Sequence, residues 1–272
     1  MLLCQISDLH IRAEGSLAYG IVDTASLLSR CVEQIMKLPQ LPDAIIATGD
    51  LVDFGKSEEY QRLRTLLAPL TMPLYLVPGN HDDRDELRRA FPDHPYLING
   101  TEHIQYAIDT LPLRIVALDT VVPGESGGML CAERLGWLER ILSEAPDRPT
   151  IVAMHHPPFD TGIGHMDRIG YTDREDFAQV IRRNPQVERI ISGHLHRAIT
   201  SRFAGTVAST CPSPAHQVVL DIDRAAPDHF VMEPPGFQLH WWSGSHLASH
   251  VAVIGDYPGP YPFREGGRLI GA

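Results

Sequence analysis

Met1-Leu2-Leu3-Cys4-Gln5-Ile6-Ser7-Asp8-Leu9-His10 decides how the rest of the chain is read. Leu2–Ser7 is an apolar run of strand length, and it ends on an Asp-x-His triplet with two metal-capable side chains. The same arrangement recurs downstream. Ala44–Thr48 runs into Gly49-Asp50, and Leu74–Val77 into Pro78-Gly79-Asn80-His81-Asp82. Thr150–Met154 runs into His155-His156-Pro157-Pro158, and Arg189–Ser192 into Gly193-His194-Leu195-His196. Further strands are expected over Ile104–Ile108 and Arg114–Leu118.

Between these strands lie helical patterns. Leu27, Leu28, Cys31, Ile35 and Leu38 fall at helical spacing, and Glu58–Leu67, Asp83–Phe91 and Glu133–Leu142 read as further helices. Strands alternating with helices predict a layered α/β fold. Each motif follows the C-terminal end of its strand, so all of them are expected to meet at one sheet edge, the usual crevice for a site in such folds. Gly49, Gly79 and Gly193 stand at these exits, where crowding excludes most side chains. Carboxylate, imidazole and amide donors without thiolate suit Mn, Fe, Co or Zn.

The ordered set D-x-H, G-D, G-N-H, H and G-H-x-H resembles the calcineurin-like metallophosphoesterase superfamily. Within it the chain is most similar to bacterial class III cyclic-nucleotide phosphodiesterases and glycerophosphodiesterases. The likeness rests on Ile6–His10, Pro78–Asp82 and Met154–Pro158 and spans roughly residues 1–220. It implies a β-sandwich flanked by helices, holding two divalent ions. Asp8, His10, Asp50 and His196 would hold the first and Asp50, Asn80, His155 and His194 the second, with Asp50 shared. A shared carboxylate brings two cations to about 3.5–4 Å, where one hydroxide can touch both and attack phosphorus. The implied activity is hydrolysis of small phosphodiesters, 3′,5′-cyclic nucleotides or glycerophosphodiesters. His81, Asn80 and Asp50 would be the catalytic groups. His81 matches the family histidine near the departing oxygen, a general acid or electrostatic stabiliser; otherwise it orients a ligand. His81, Asn80 and His216 would contact substrate. His156 is expected to be structural.

Composition limits the other readings. At 272 residues the chain can hold one large domain with an appendage. A formal charge of −11 disfavours a nucleic-acid backbone as partner, and with it a nuclease. A phosphomonoesterase would use the same metals, whereas a non-catalytic scaffold is the weakest alternative because the ligand set is intact. No apolar run approaches the roughly 20 residues of a membrane span, so no membrane partner is expected. The N-terminal apolar segment has no basic flank and leads directly into Asp8 and His10, which reads as a strand of a cytoplasmic protein. Cys4, Cys31, Cys131 and Cys211 are widely spaced and read as reduced packing residues.

After about residue 205 the pattern changes to short strand-like runs: Thr206–Ser209, Gln217–Ile222, Phe230–Met232, Phe237–Trp242 and His250–Ile254. Residues 1–205 are therefore read as the catalytic core. Residues 206–272 are read as the last core strands plus a small β-rich appendage that caps the cleft or joins subunits of a homo-oligomer. Trp241 and Trp242 cannot both face one side of a strand, so one of them is read as an interface contact or as ordinary packing. His165, Asp167 and Tyr171 are expected on a loop, either solvated or contacting substrate, and Asp82-Asp83 as the cap and first turn of a helix.

Overall fold

The structure, a computed structural model, describes residues 1–98 and 100–270. Three parallel strands open the chain: β1 (Leu2–Ile6), β2 (Ala44–Thr48) and β3 (Leu74–Val77). They are joined by α1 (Thr24–Met36) and α2 (Ser57–Leu67), and α3 (Arg84–Ala90) follows. The second layer begins with β4 (Tyr106–Ile108) and β5 (Arg114–Ala117), then α4 (Ala132–Ser143) and β6 (Thr150–Ala153). It continues through α5 (Gly164–Asp167), α6 (Arg174–Arg182), β7 (Val187–Ser192), β8 (Thr200–Phe203) and β9 (Thr206–Thr210). The remaining strands are β10 (Gln217–Val218), β11 (Phe230–Val231), β12 (Gly236–Trp242), β13 (Leu247–Val253), β14 (Arg264–Glu265) and β15 (Arg268–Leu269).

Two mixed sheets result, ordered β13-β12-β1-β2-β3 and β4-β5-β6-β7-β9-β8. Strand alternation explains why they stack. Ile115 and Ala117, Ile151 and Ala153, and Ile191 share one buried cluster with Leu3, Ile6, Ile45 and Leu76 of the first sheet. Their neighbours Val116, Val152 and Ile190 point to the opposite face, against Leu138 and Leu142 of α4 and Phe177, Val180 and Ile181 of α6. α1 covers the first sheet with Leu28, Cys31, Val32 and Ile35. The expected helix-flanked sandwich is thus the observed one. Gln5 links the layers in its centre, its Nε2 donating to Thr48 Oγ1 and Ser192 O, both at 2.9 Å.

Several boundaries differ from the sequence reading. β4 begins at Tyr106 rather than Ile104, whose backbone N–H donates to the Asp119 carboxylate instead of a ladder. Only Gln217–Val218 of the run to Ile222 pairs, and Leu220 and Ile222 are exposed. α5, α6 and the polar edge strand β8 were not anticipated. β12 pairs antiparallel with β1, so a segment beyond residue 205 completes the first sheet. From Gly255 the described chain is exposed and carries only the β14–β15 hairpin. No described helix is long and apolar enough to cross a membrane.

Candidate metal centre

Asp8, His10, Asp50, His194 and His196 all occupy left-handed backbone conformations, with φ between 45° and 69°. Non-glycine residues adopt this region at a cost, and clusters of such strain mark sites where geometry is imposed. The imposing contacts are visible. Asp8 N and His10 N donate to Gly49 O and Asp50 O, stitching the loop after β1 to the loop after β2. The glycines allow the close approach. A Cβ on Gly79 would lie 2.3 Å from Asp50 N and Oδ1, and one on Gly193 2.0 Å from Ser7 Oγ.

The expected ligand atoms converge. Asp50 Oδ2 lies 3.6 Å from His10 Nε2 and 3.3 Å from His155 Nε2. His10 Nε2 is 3.2 Å from His196 Nε2, which is 3.7 Å from Asp8 Oδ1. On the other side His155 Nε2 is 3.1 Å from Asn80 Oδ1. Asp50 Oδ2 thus stands between the two groups of side chains, and its other oxygen accepts the backbone N–H of His81 at 3.0 Å.

Each imidazole is anchored through the nitrogen that faces away from the centre. His10 Nδ1 donates to Asp53 Oδ1 at 3.1 Å, His155 Nδ1 to Thr48 O at 2.8 Å, and His196 Nδ1 to His216 O at 3.0 Å. His194 uses Nε2 for Ile169 O at 3.0 Å, which leaves Nδ1 as its ligand atom. Such outer partners fix tautomer and ring orientation for a metal. Asp8 Oδ2 is buried without a hydrogen-bond partner. A desolvated, unpartnered carboxylate oxygen beside converging imidazole lone pairs is strongly disfavoured in a metal-free protein. The donor set thus fits a dinuclear cation site.

Electrostatics agree. Burial raises the Asp8 carboxyl to about 6, with His155 opposing. Burial also acts to raise Asp50, but His155 and His81 outweigh it and hold its carboxyl well below the usual range. Burial disfavours charge on His155, yet Asp50 and Asp8 push it up to about 9. His194 falls to about 3 and His196 well below its ordinary value, through burial first and neighbouring histidines second. His194 and His196 are thereby held in the neutral form that binds metal, whereas His155 pairs with Asp50 as a cation until a metal displaces its proton.

His81 hangs over this centre with its ring 4.7 Å from that of His10. Its Nδ1 lies 2.8 Å from Asp53 O, so Nε2 is the atom free for the cleft. His216 is brought in from a distant loop, its ring 4.5 Å from His196 and its Nδ1 without a partner. His156 is occupied at both nitrogens, by Thr120 Oγ1 and Ser126 O, and serves the framework.

Other readings need correction. Asp82 is a buried bracket rather than part of a helix turn, accepting from Leu51 N, Gly79 N and Tyr60 Oη; Asp83 alone caps α3. His165 and Tyr171 are buried, and Asp167 accepts from Thr161 and Gly162, so the expected solvated loop is a built turn around α5. Sequence reasoning missed Asp53, which grips His10 through its side chain and His81 through its carbonyl. Its position three residues after Asp50 was the only signal. Tyr19, Ser126, Asp228 and Phe230 also line the cleft and carried no pattern at all.

Comparisons with known proteins place the chain in a family. The chain is 40% identical to the probable glycerophosphodiester phosphodiesterase GpdQ of Arcobacter nitrofigilis, over 99% of this chain and 100% of that protein. It is 31% identical to the 3′,5′-cyclic adenosine monophosphate phosphodiesterase CpdA of Pseudomonas aeruginosa, over 84% of each. The crystal structure of a dimetal phosphatase from Danio rerio superposes with a TM-score of 0.67, covering 93% of this chain and 98% of that one. At 16% identity that likeness speaks for the fold alone. The sequence model of the calcineurin-like phosphoesterases matches residues 1–198, and this chain belongs to that family.

Proposed function

We propose that this protein is a dinuclear metal-dependent phosphodiesterase hydrolysing small phosphodiesters, either 3′,5′-cyclic nucleotides or glycerophosphodiesters. The observation that carries the reading is Asp50 Oδ2 standing between His10 Nε2 and His155 Nε2, one carboxylate oxygen common to two half-sites. It is supported by the relatives, a probable glycerophosphodiester phosphodiesterase and a 3′,5′-cyclic adenosine monophosphate phosphodiesterase.

Two ions of the Mn, Fe, Co or Zn type, held by Asp8, His10, Asp50, Asn80, His155, His194 and His196, would supply Lewis acidity toward the phosphoryl oxygens and lower the pKa of a bound water. The chain's own groups do the rest. Asp50 ties the half-sites together, and its Oδ1 fixes the backbone of His81. Asn80 presents its carboxamide to the cleft, Oδ1 toward the centre and the amide N–H toward a substrate oxygen. As the bond from phosphorus to the departing oxygen breaks, His81 gives that oxygen a proton from Nε2 and regains one from solvent. His216 packs against His196 beneath the cleft and supports that ring from behind.

No lysine or arginine among the described residues lines this cleft, which favours a monoanionic diester over a dianionic monoester. Comparing bis(4-nitrophenyl) phosphate with 4-nitrophenyl phosphate tests the point. Higher kcat/KM on the diester is expected, and the reverse would assign a monoesterase.

The reading extends to a cytoplasmic homo-oligomer, with residues 206–272 closing the core and contributing the subunit contact. Trp241, Val251 and Val253 on β12 and β13 and Tyr257, Tyr261 and Phe263 in the tail are exposed, an apolar surface along an open sheet edge. Truncation after Ile254 should preserve metal binding while changing the mass in light scattering or the preference among diesters of different bulk.

A further inference from the structure

The cleft over the metal ligands encloses about 370 Å³, and its outer end differs chemically from its floor. The Tyr19 and Phe230 rings lie 4.9 Å apart there, tilted by 32°, and both meet the edge of His216. Beside them stands Asp228, a lining residue whose side chain is 89% exposed. His165 Nε2 lies 3.6 Å from Asp228 Oδ1. Two basic side chains near this end are engaged elsewhere. Arg197 donates to Glu233 Oε2 and to Val218 O at 2.5 and 2.7 Å, and Arg12 to Asp53 Oδ2 at 2.9 Å.

A carboxylate at the rim of a site for anions repels the approaching substrate unless the part of the substrate that reaches it is positively charged. Two aromatic faces beside a carboxylate are the chemistry that binds ammonium and quaternary ammonium groups. We propose that Asp228, Tyr19 and Phe230 form a subsite for a cationic ester substituent, an ammonium or quaternary ammonium a few bonds from phosphorus. This rests on the phosphodiesterase reading and narrows it. Among small diesters, those of amino alcohols become the preferred class over those of neutral alcohols or nucleosides.

A matched pair of chromogenic diesters isolates the charge: choline 4-nitrophenyl phosphate and its uncharged carbon isostere, 3,3-dimethylbutyl 4-nitrophenyl phosphate. Metal-loaded wild-type protein should favour the cationic ester by about tenfold in kcat/KM, and the ratio should shrink as ionic strength rises. Asp228→Asn should bring that ratio to within about twofold of unity, and Phe230→Leu should lower it partway. Equal treatment of the two esters by wild type, or a ratio unchanged in Asp228→Asn, would overturn the subsite, and hydrolysis of bis(4-nitrophenyl) phosphate by wild type would still uphold the phosphodiesterase reading. Failure of the wild type to hydrolyse any of the three diesters would overturn the phosphodiesterase reading and the subsite together.

Discussion

Asp8 Oδ1 accepts the backbone N–H of His194 at 2.9 Å, joining the exit of β1 in one sheet to the exit of β7 in the other. Both residues sit in left-handed conformations, and the second oxygen of Asp8 is buried without a partner. One carboxylate thus clamps the two layers while the same Oδ1 faces His196 Nε2 at 3.7 Å. The clamp needs an acceptor at Oδ1, whereas the negative charge serves only a cation.

Asp8→Asn should therefore separate stability from metal binding. In chelator at pH 7.5 the variant should melt no lower than wild type, because it removes a buried charge while keeping an acceptor for His194. On adding Mn or Zn, wild type should gain several degrees and the variant much less. Differential scanning calorimetry with and without metal checks both arms.

His81→Ala should retain its metals, since the ring is held by Asp53 O and its backbone N–H by Asp50 Oδ1. Turnover of diesters with poor alkoxide leaving groups should drop about 10²–10⁴-fold, the usual scale for a lost general acid. Aryl esters, which leave without protonation, should lose less. An equal loss on both ester types in stopped assays would assign the ring a positioning role instead.

Gly79→Ala places a methyl group 2.3 Å from Asp50 N and Oδ1, both part of the shared ligand's support. Asp50 must shift. Metal affinity should fall about 10- to 100-fold, the scale seen when a ligand's supporting contacts are disturbed, with a lower melting temperature. Isothermal titration with Mn reads the first effect directly.

Acid should destabilise the metal-free protein below pH 6.5. His194, His216 and His240 are lowered to about 3, and His156 and His196 well below their ordinary value, all through burial first. The unfolded chain therefore binds more protons than the folded one as pH falls through 6.5, and stability is lost on acidification. Asp8 and Asp82, raised to about 6 by burial, act oppositely between about 4 and 6, because their contribution is full below the unfolded value and lost as pH rises. The five lowered histidines outnumber these two, so the net direction holds below 6.5. His10 and His155, raised against burial by neighbouring carboxylates, stabilise fully below 6.5 and lose that contribution as pH rises above it. Urea midpoints measured in chelator should therefore rise with pH between about 5 and 6.5.

Much of the metal centre was legible because its ligands sit at strand exits, where a short apolar run and a following polar motif are both local in sequence. The sandwich was legible for the same reason, through strands such as Thr150–Ala153 and Ala44–Thr48. What escaped was held by tertiary contact. α6 is amphipathic, with Phe177, Val180 and Ile181 inward, but the left-handed Asp173 before it offers no capping side-chain bond. β8 is a polar edge strand that only β9 stabilises. Asp53 acts through contacts with His10 and His81 that its own surroundings do not encode, and Tyr19 and Asp228 reach the cleft from loops over 200 residues apart.

Asp50 is the most direct point at which to test the whole account, since it alone belongs to both half-sites. Metal content and bis(4-nitrophenyl) phosphate hydrolysis should be measured together on wild type and Asp50→Ala after chelation and return of Mn. Two ions per wild-type chain with restored turnover, and loss of both metals and at least about 10³-fold of the activity in the variant, is the predicted result. Full hydrolysis by chelated wild type, or by Asp50→Ala at matched metal, would contradict it.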